Sequence, residues 1–183
     1  MTSSIFVLFA SHDGQTRRIA ETIALGLARR GLPVDLRDLA FDSPSRAELE
    51  DAPLVVVAAA IRYGFHLKAA DRLLAQHHDL FVRRPPAVVS VNLTARKPGK
   101  DTPEGNAYLR KWLKRRRIRP VLAAAIAGKL DYPRYSRLDR FMIRLIMTIT
   151  GGPTDPAAVV EYTDWDAVDA FAGRIADHLA KRG

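Results

Sequence analysis

Short apolar runs alternate with amphipathic stretches along most of this chain, and that alternation restricts the possible folds more than any other feature. Ile5 to Ala10 is continuously apolar, as expected for a strand buried on both faces. Arg17 to Arg30 then puts Ile19, Ile23 and Leu27 on one helical face. Arg29 and Arg30 lie at the negative end of the helix dipole, and Gly31 provides the stop. Val34 to Asp38 predicts a second strand, Leu54 to Ala60 a third, Ala87 to Val91 a fourth and Val121 to Gly128 a fifth. Lys68 to His77 is helical in pattern, and Thr102 is expected to cap another helix with Pro103 in its first turn. Thr163 to Asp166 predicts a capping box opening a last helix that buries Val168, Phe171, Ala172, Ile175 and Leu179.

This order predicts an α/β fold: a flavodoxin-like, doubly wound, five-stranded parallel sheet. Such a sheet binds ligands at the carboxyl ends of its strands, near the switch point. With 183 residues, 48% of them apolar, the chain is expected to form one domain over residues 1–183. Lys129 to Pro156 is too long for an ordinary connection and is read as an insertion, about 129–156, ahead of the last helix.

The chain has no cysteine, which excludes disulfides, thiolate metal sites and a cysteine nucleophile, and no metal site is expected. No basic segment precedes the first apolar run, so no cleaved signal peptide is expected, and no apolar stretch reaches the ~18 residues of a membrane span. Charge is unevenly distributed. Of the net +9, Ala107 to Arg144 carries twelve Lys/Arg against Asp131 and Asp139, while the remainder is nearly neutral. A field of that kind attracts anionic lipid, nucleic acid or a carboxylated ligand.

The first strand runs into Ser11-His-Asp-Gly-Gln-Thr16 and then a helix, so this loop can aim backbone N–H groups and the helix dipole at a phosphate. It is neither a Walker sequence nor a dinucleotide fingerprint, and an ordinary helix cap would also use such residues. The loop resembles the phosphate loop of flavodoxins: a hydroxyl residue, two positions, Gly, one position, then Thr. The resemblance implies FMN, its phosphate held by Ser11, Gly14, Gln15 and Thr16. Asp13 replaces the usual hydroxyl and would repel the phosphate unless its carboxylate bonds the backbone. By the same likeness, Ile61, Arg62, Tyr63 and Gly64 would flank the flavin ring. Tyr63 would stack on it, and Arg62 would meet negative charge on the reduced form. Ser90, Asn92, Leu93, Thr94 and Ala95 would serve the ring's polar edge.

A longer series occurs in one order: Ile61-Arg-Tyr-Gly64, Ser90-Val-Asn-Leu93, Ala95-Arg-Lys-Pro98, Tyr132-Pro-Arg-Tyr135, Asp139-Arg-Phe-Met-Ile143, Gly151-Gly152 and Tyr162-Thr-Asp-Trp165. This series closely resembles the menaquinone-dependent protoporphyrinogen dehydrogenase family, flavodoxin-like enzymes of bacterial haem synthesis. The resemblance covers nearly the whole chain and implies FMN-dependent oxidation of protoporphyrinogen IX, two electrons at a time, with menaquinone or ubiquinone as acceptor. Arg96, Lys97, Arg134 and Arg137 are candidates for the substrate's propionates. No general base is assigned; His12 is the one histidine in these loops.

Within Tyr132–Thr150, Leu138, Phe141, Met142, Leu145, Ile146 and Ile149 share a helical face opposite Arg137, Arg140 and Arg144. That pattern suits a helix lying on an anionic membrane surface, although such a face can also pack on its own domain. The expected location is therefore cytoplasmic, at the inner face of the cell membrane. Two other readings are a flavodoxin-like electron carrier or NAD(P)H:quinone reductase, and a basic nucleic-acid-binding protein. A carrier needs no basic insertion. Nucleic-acid binding leaves the three loops unexplained, so no nucleic-acid partner is expected.

Overall fold

The structure is a computed structural model and describes residues 3–182. In chain order its elements are β1 (Ile5–Ala10), α1 (Gln15–Arg29), β2 (Val34–Asp38), α2 (Arg46–Asp51), β3 (Val55–Arg62), β4 (Phe65–His66), α3 (Lys68–Gln76), α4 (His78–Arg83), β5 (Ala87–Val91), α5 (Ala107–Arg116), β6 (Leu122–Ile126), β7 (Lys129–Asp131), α6 (Arg137–Thr150), β8 (Val159–Glu161) and α7 (Trp165–Ala180).

Five parallel strands in the order β2-β1-β3-β5-β6 form the main sheet, as the apolar runs predict. Successive strand residues face opposite sides, so two cores flank the sheet. On one side Ile5, Val7 and Phe9 meet Ile19 and Ile23 of α1 and Val168, Phe171 and Ile175 of α7. On the other, Phe6, Leu8, Val55 and Val57 meet Leu73 and Leu74 of α3, Phe81 of α4 and Trp112 of α5. The chain reverses its winding between β1 and β3, which brings the turns after β1, β3 and β5 to one end of the sheet.

Two predicted helix starts are corrected. No helix begins at Pro103. Thr102 Oγ instead accepts from the Gly105 N–H at 3.0 Å and closes a turn, with Gly105 lying where a Cβ would collide with the Gly99 carbonyl. The helix starts at Ala107, capped by the buried Asn106, whose Oδ1 accepts from the Leu109 N–H at 3.1 Å. The last helix is capped by Asp164 rather than Thr163, because the Thr163 hydroxyl donates to the Ala127 carbonyl at 2.8 Å.

The insertion lies between two short strands. β7 and β8 pair antiparallel, Lys129 opposite Glu161 and Asp131 opposite Val159. Between them Leu130, Tyr132, Tyr135 and Met147 form a small core against Leu93, Ile143 and Val160. Ser136 caps α6 through its hydroxyl, and Gly151 ends the helix with φ of 69°, letting the Gly152 N–H reach the Met147 carbonyl at 2.8 Å. α6 rests on the protein through Asp139, Ile143 and Met147. Its other apolar face points outward, with Phe141 65% and Ile149 77% exposed.

Candidate functional site

A cleft of about 350 Å³ lies where the turns after β1, β3 and β5 meet α6. At its floor α1 begins without a side-chain cap and with no acidic residue in its first turn. Gly14, at φ of 89°, makes the turn into the helix, a backbone conformation costly for residues with a Cβ. Its N–H donates to Ser11 Oγ at 3.2 Å, which fixes the loop. Among the described residues, the N–H groups of Gln15, Thr16 and Arg17 have no protein acceptor. The positive end of the helix therefore faces the cleft with unused donors, a setting that favours an anion.

Thr16 is buried at the cleft. The Gln15 side chain turns the other way, Nε2 donating to Glu161 Oε1 at 3.1 Å and Thr163 Oγ1 at 2.8 Å. Glu161 also accepts from Trp165 Nε1 at 3.0 Å and pairs with Arg18 at 3.4 Å. The Gln15 hydrogen bond, with Arg18 assisting, holds the Glu161 carboxyl below its usual range. The base of the insertion is thus tied to the first turn of α1, and what Gln15 offers the cleft is its backbone N–H. Asp13 borders the cleft, half exposed, 4.0 Å from His12.

The turn after β3 carries the most constrained geometry. Tyr63 adopts φ of 51° and Gly64 83°, so two successive residues are left-handed before β4 folds back on β3. Arg62 does not present a bare charge. Its Nη2 donates to Asp139 Oδ2 at 2.8 Å, Nη1 lies 2.6 Å from His12 Nε2, and its Cζ sits 5.1 Å from the Tyr63 ring centre. Tyr63 OH donates to the other Asp139 oxygen at 2.6 Å, and Ser136 Oγ donates to Asp139 Oδ2 at 2.6 Å. These bonds, Ser136 first, then Tyr63 and Arg62, hold the Asp139 carboxyl down at about 2.

The third turn is locked from below. Asn92 Nδ2 donates to Ser90 Oγ at 3.0 Å, and its Oδ1 accepts from Ala95 N at 3.1 Å and Asn106 Nδ2 at 3.1 Å. His66 Nε2 lies 2.7 Å from Ser90 Oγ, and the imidazole stacks on Trp112. The Asn92 amide is therefore fully used in shaping the loop. Ser90 and Ala95 are buried and do not line the cleft, whereas Leu93 and Thr94 do.

Of the residues expected around a flavin, Ser11, Asp13, Gln15, Thr16, Ile61, Arg62, Tyr63, Gly64, Asn92, Leu93 and Thr94 all border this one cleft, and Gly14 shapes its floor. The four substrate candidates do not. Arg96 turns beneath the insertion, its Nη1 donating to the Leu93 carbonyl at 2.7 Å and its Cζ 5.6 Å from the Tyr162 ring centre. Lys97 is partly exposed, and Arg134 and Arg137 stand in solvent at the start of the insertion helix. Sequence reasoning missed Asp139, Tyr135, Met142 and Ile143 as cleft walls, because their approach depends on how the insertion folds back. A larger hollow, about 530 Å³, opens at the opposite end of the sheet between Leu32, Leu54 and Phe81. Its Arg84 already donates to the Ala52 carbonyl at 2.6 Å.

The comparisons with known proteins agree with this geometry. A family model described as a flavodoxin domain matches residues 6–157. The chain is 44% identical over 177 residues to the protoporphyrinogen IX dehydrogenase [quinone] of Escherichia coli (strain K12), covering 96% of each chain. It is 41% identical over 174 residues to the protein of the same name from Leishmania major, covering 93% of this chain and 73% of that one. The fold is similar to that of oxidised flavodoxin 1 from Bacillus cereus, with a TM-score of 0.57 at 16% identity, covering 96% of this chain and 99% of the other.

Proposed function

The chain belongs to the flavodoxin-domain family and, within it, to the quinone-dependent protoporphyrinogen IX dehydrogenases, and we propose that it oxidises protoporphyrinogen IX to protoporphyrin IX in haem biosynthesis with a quinone as acceptor. The cofactor is FMN. The observation that carries this reading is the uncapped start of α1 at the cleft, with the N–H groups of Gln15, Thr16 and Arg17 left without a protein acceptor among the described residues, as an anion site requires. A flavin with a terminal phosphate suits a site that has one such helix end and, beside it, an apolar and aromatic slot.

The hydroxyls of Ser11 and Thr16 and the N–H groups of Gln15, Thr16 and Arg17 would hold the phosphate, with Gly14 shaping the turn. Ile61, Tyr63, Leu93 and Thr94 enclose the ring. When bound, FMN supplies reversible two-electron chemistry that side chains lack, and six electrons leave the tetrapyrrole over three turnovers. The protein's own part is to orient and to exclude water. Arg62 is paired with Asp139 and so would not present a bare charge to the ring. Asn92 keeps the third turn in shape, and Arg134, Arg137 and Lys97 are left to meet propionates approaching from solvent. Arg96 supports the insertion as well as any substrate it meets.

Menaquinone or ubiquinone reaches the cleft from a membrane. Among the described residues no helix is long and apolar enough to cross a bilayer. Support for surface contact comes from α6, whose Leu138, Phe141, Leu145 and Ile149 are exposed and lie outside the cleft, while Arg137 and Arg144 flank them. The protein is then peripheral, on the cytoplasmic face of the membrane. An anaerobic assay of protoporphyrinogen with a menaquinone analogue tests the reading. Porphyrin fluorescence must grow in proportion to quinone and without nicotinamide. NAD(P)H-driven quinone reduction with no porphyrin formed would replace this assignment by a reductase.

A further inference from the structure

The insertion contributes one side chain that the flavodoxin-like framework cannot supply. Asp139, in the first turn of α6, is 11% exposed at its side chain and borders the same cleft as the turns after β1 and β3. Its two oxygens divide between Arg62 and Tyr63, residues more than seventy positions earlier in the chain. The carboxylate is itself fixed from behind, its backbone N–H donating to Ser136 Oγ at 3.1 Å and the Ser136 hydroxyl donating back at 2.6 Å.

What it holds would otherwise relax. Tyr63 stands in the left-handed region, where a large aromatic residue persists only if its surroundings insist. The phenol donating to Asp139 and the guanidinium bridging His12, Asp139 and Tyr63 are the contacts that insist. We propose that Asp139 is a positioning residue for the flavin: the insertion delivers its carboxylate to clamp the Arg62–Tyr63 turn in the form against which the ring lies. This rests on the flavin reading given above. No proton transfer is assigned to Asp139, since both of its oxygens already accept hydrogen bonds, Oδ1 from Tyr63 and Oδ2 from Arg62 and Ser136.

The test is a double-mutant cycle on the full chain stripped of flavin, comparing wild type, Asp139→Ala, Tyr63→Phe and the double variant. FMN affinity is read from quenching of flavin fluorescence. Trypsin cleavage after Arg62 in the flavin-free proteins is read by mass spectrometry. Each single variant is expected to weaken FMN binding about three- to tenfold, and the double variant no more than the weaker single one. Cleavage after Arg62 is expected to quicken in both single variants. Tyr63→Phe changes no residue of α6 and leaves the Ser136 cap and the Arg62–Asp139 pair in place, so its result stands even if Asp139→Ala loosens that helix. Additive losses, or variants that bind FMN and resist trypsin as the wild type does, overturn the role of Asp139. A wild type that binds no FMN overturns the flavin reading, and the positioning role falls with it.

Discussion

His66 lies flat on Trp112, ring centroids 3.9 Å apart and planes 13° from parallel, with its Nε2 2.7 Å from the Ser90 hydroxyl. Burial drives the imidazole down to about 3. The positive Arg115 adds to the effect, and Asp71 opposes it. An unfolded histidine ionises near 6.5, so below that pH the unfolded chain binds a proton that the native chain refuses. Native stability therefore falls as pH drops from about 6.5 toward 3, by up to roughly 1.4 kcal/mol per pH unit from this group. His66→Gln removes that dependence. At pH 7 the variant is expected to be about 1–3 kcal/mol less stable, having lost the stack and the buried bond. By pH 5 the gap narrows by roughly 2 kcal/mol. Urea unfolding at both pH values measures this, and a gap that stays constant shows that His66 takes up its proton as readily in the native protein as in the unfolded chain.

Gly14 makes the turn proposed to receive the phosphate. Gly14→Val forces a β-branched residue to φ of 89° and turns the first N–H groups of α1 away from the cleft. The purified variant is expected to be colourless, with far-UV circular dichroism unchanged, and Thr16→Leu to do the same by filling the site. Full flavin absorbance in either protein removes the phosphate assignment.

The outward face of α6 offers a separable test. Phe141 and Ile149 do not border the cleft, so Phe141→Asp with Ile149→Asp is expected to leave FMN binding intact. Sedimentation with anionic vesicles is expected to fall at least tenfold, since burying each side chain is worth roughly 1.5–3 kcal/mol. Undiminished sedimentation would mean that another surface meets the lipid. Deleting the whole insertion would confuse the two effects, because it also removes Asp139.

The sheet was legible from sequence because its inner strands β1 and β3 are apolar on both faces; Val55 to Ala59 leaves little room for another reading. That the three turns meet at one cleft was legible because a doubly wound sheet gathers the loops at the carboxyl ends of its strands. Side-chain commitments were not legible. Asn92 reads as a polar group available to a ligand, yet Asn106 from a distant turn consumes its amide. Arg62 reads as a free charge until Asp139 arrives from the insertion. The helical period correctly grouped the apolar residues of α6, but periodicity cannot say which of two faces is outward. Asp139, Ile143 and Met147 decide that by packing inward. Thr163 misled because a cap is set by competition, and the Ala127 carbonyl claimed its hydroxyl first.

The ladder of β7 and β8 brings the two ends of the excursion side by side, Asp131 against Val159. Its stem is therefore closed before the rest begins, and the strands of the main sheet do not register how much chain lies beyond it. Closing a longer loop costs only logarithmically more. The segment between these strands can therefore be lengthened, shortened or re-sequenced while β6 and α7 keep their places, which makes this stem the natural graft point for chimeras.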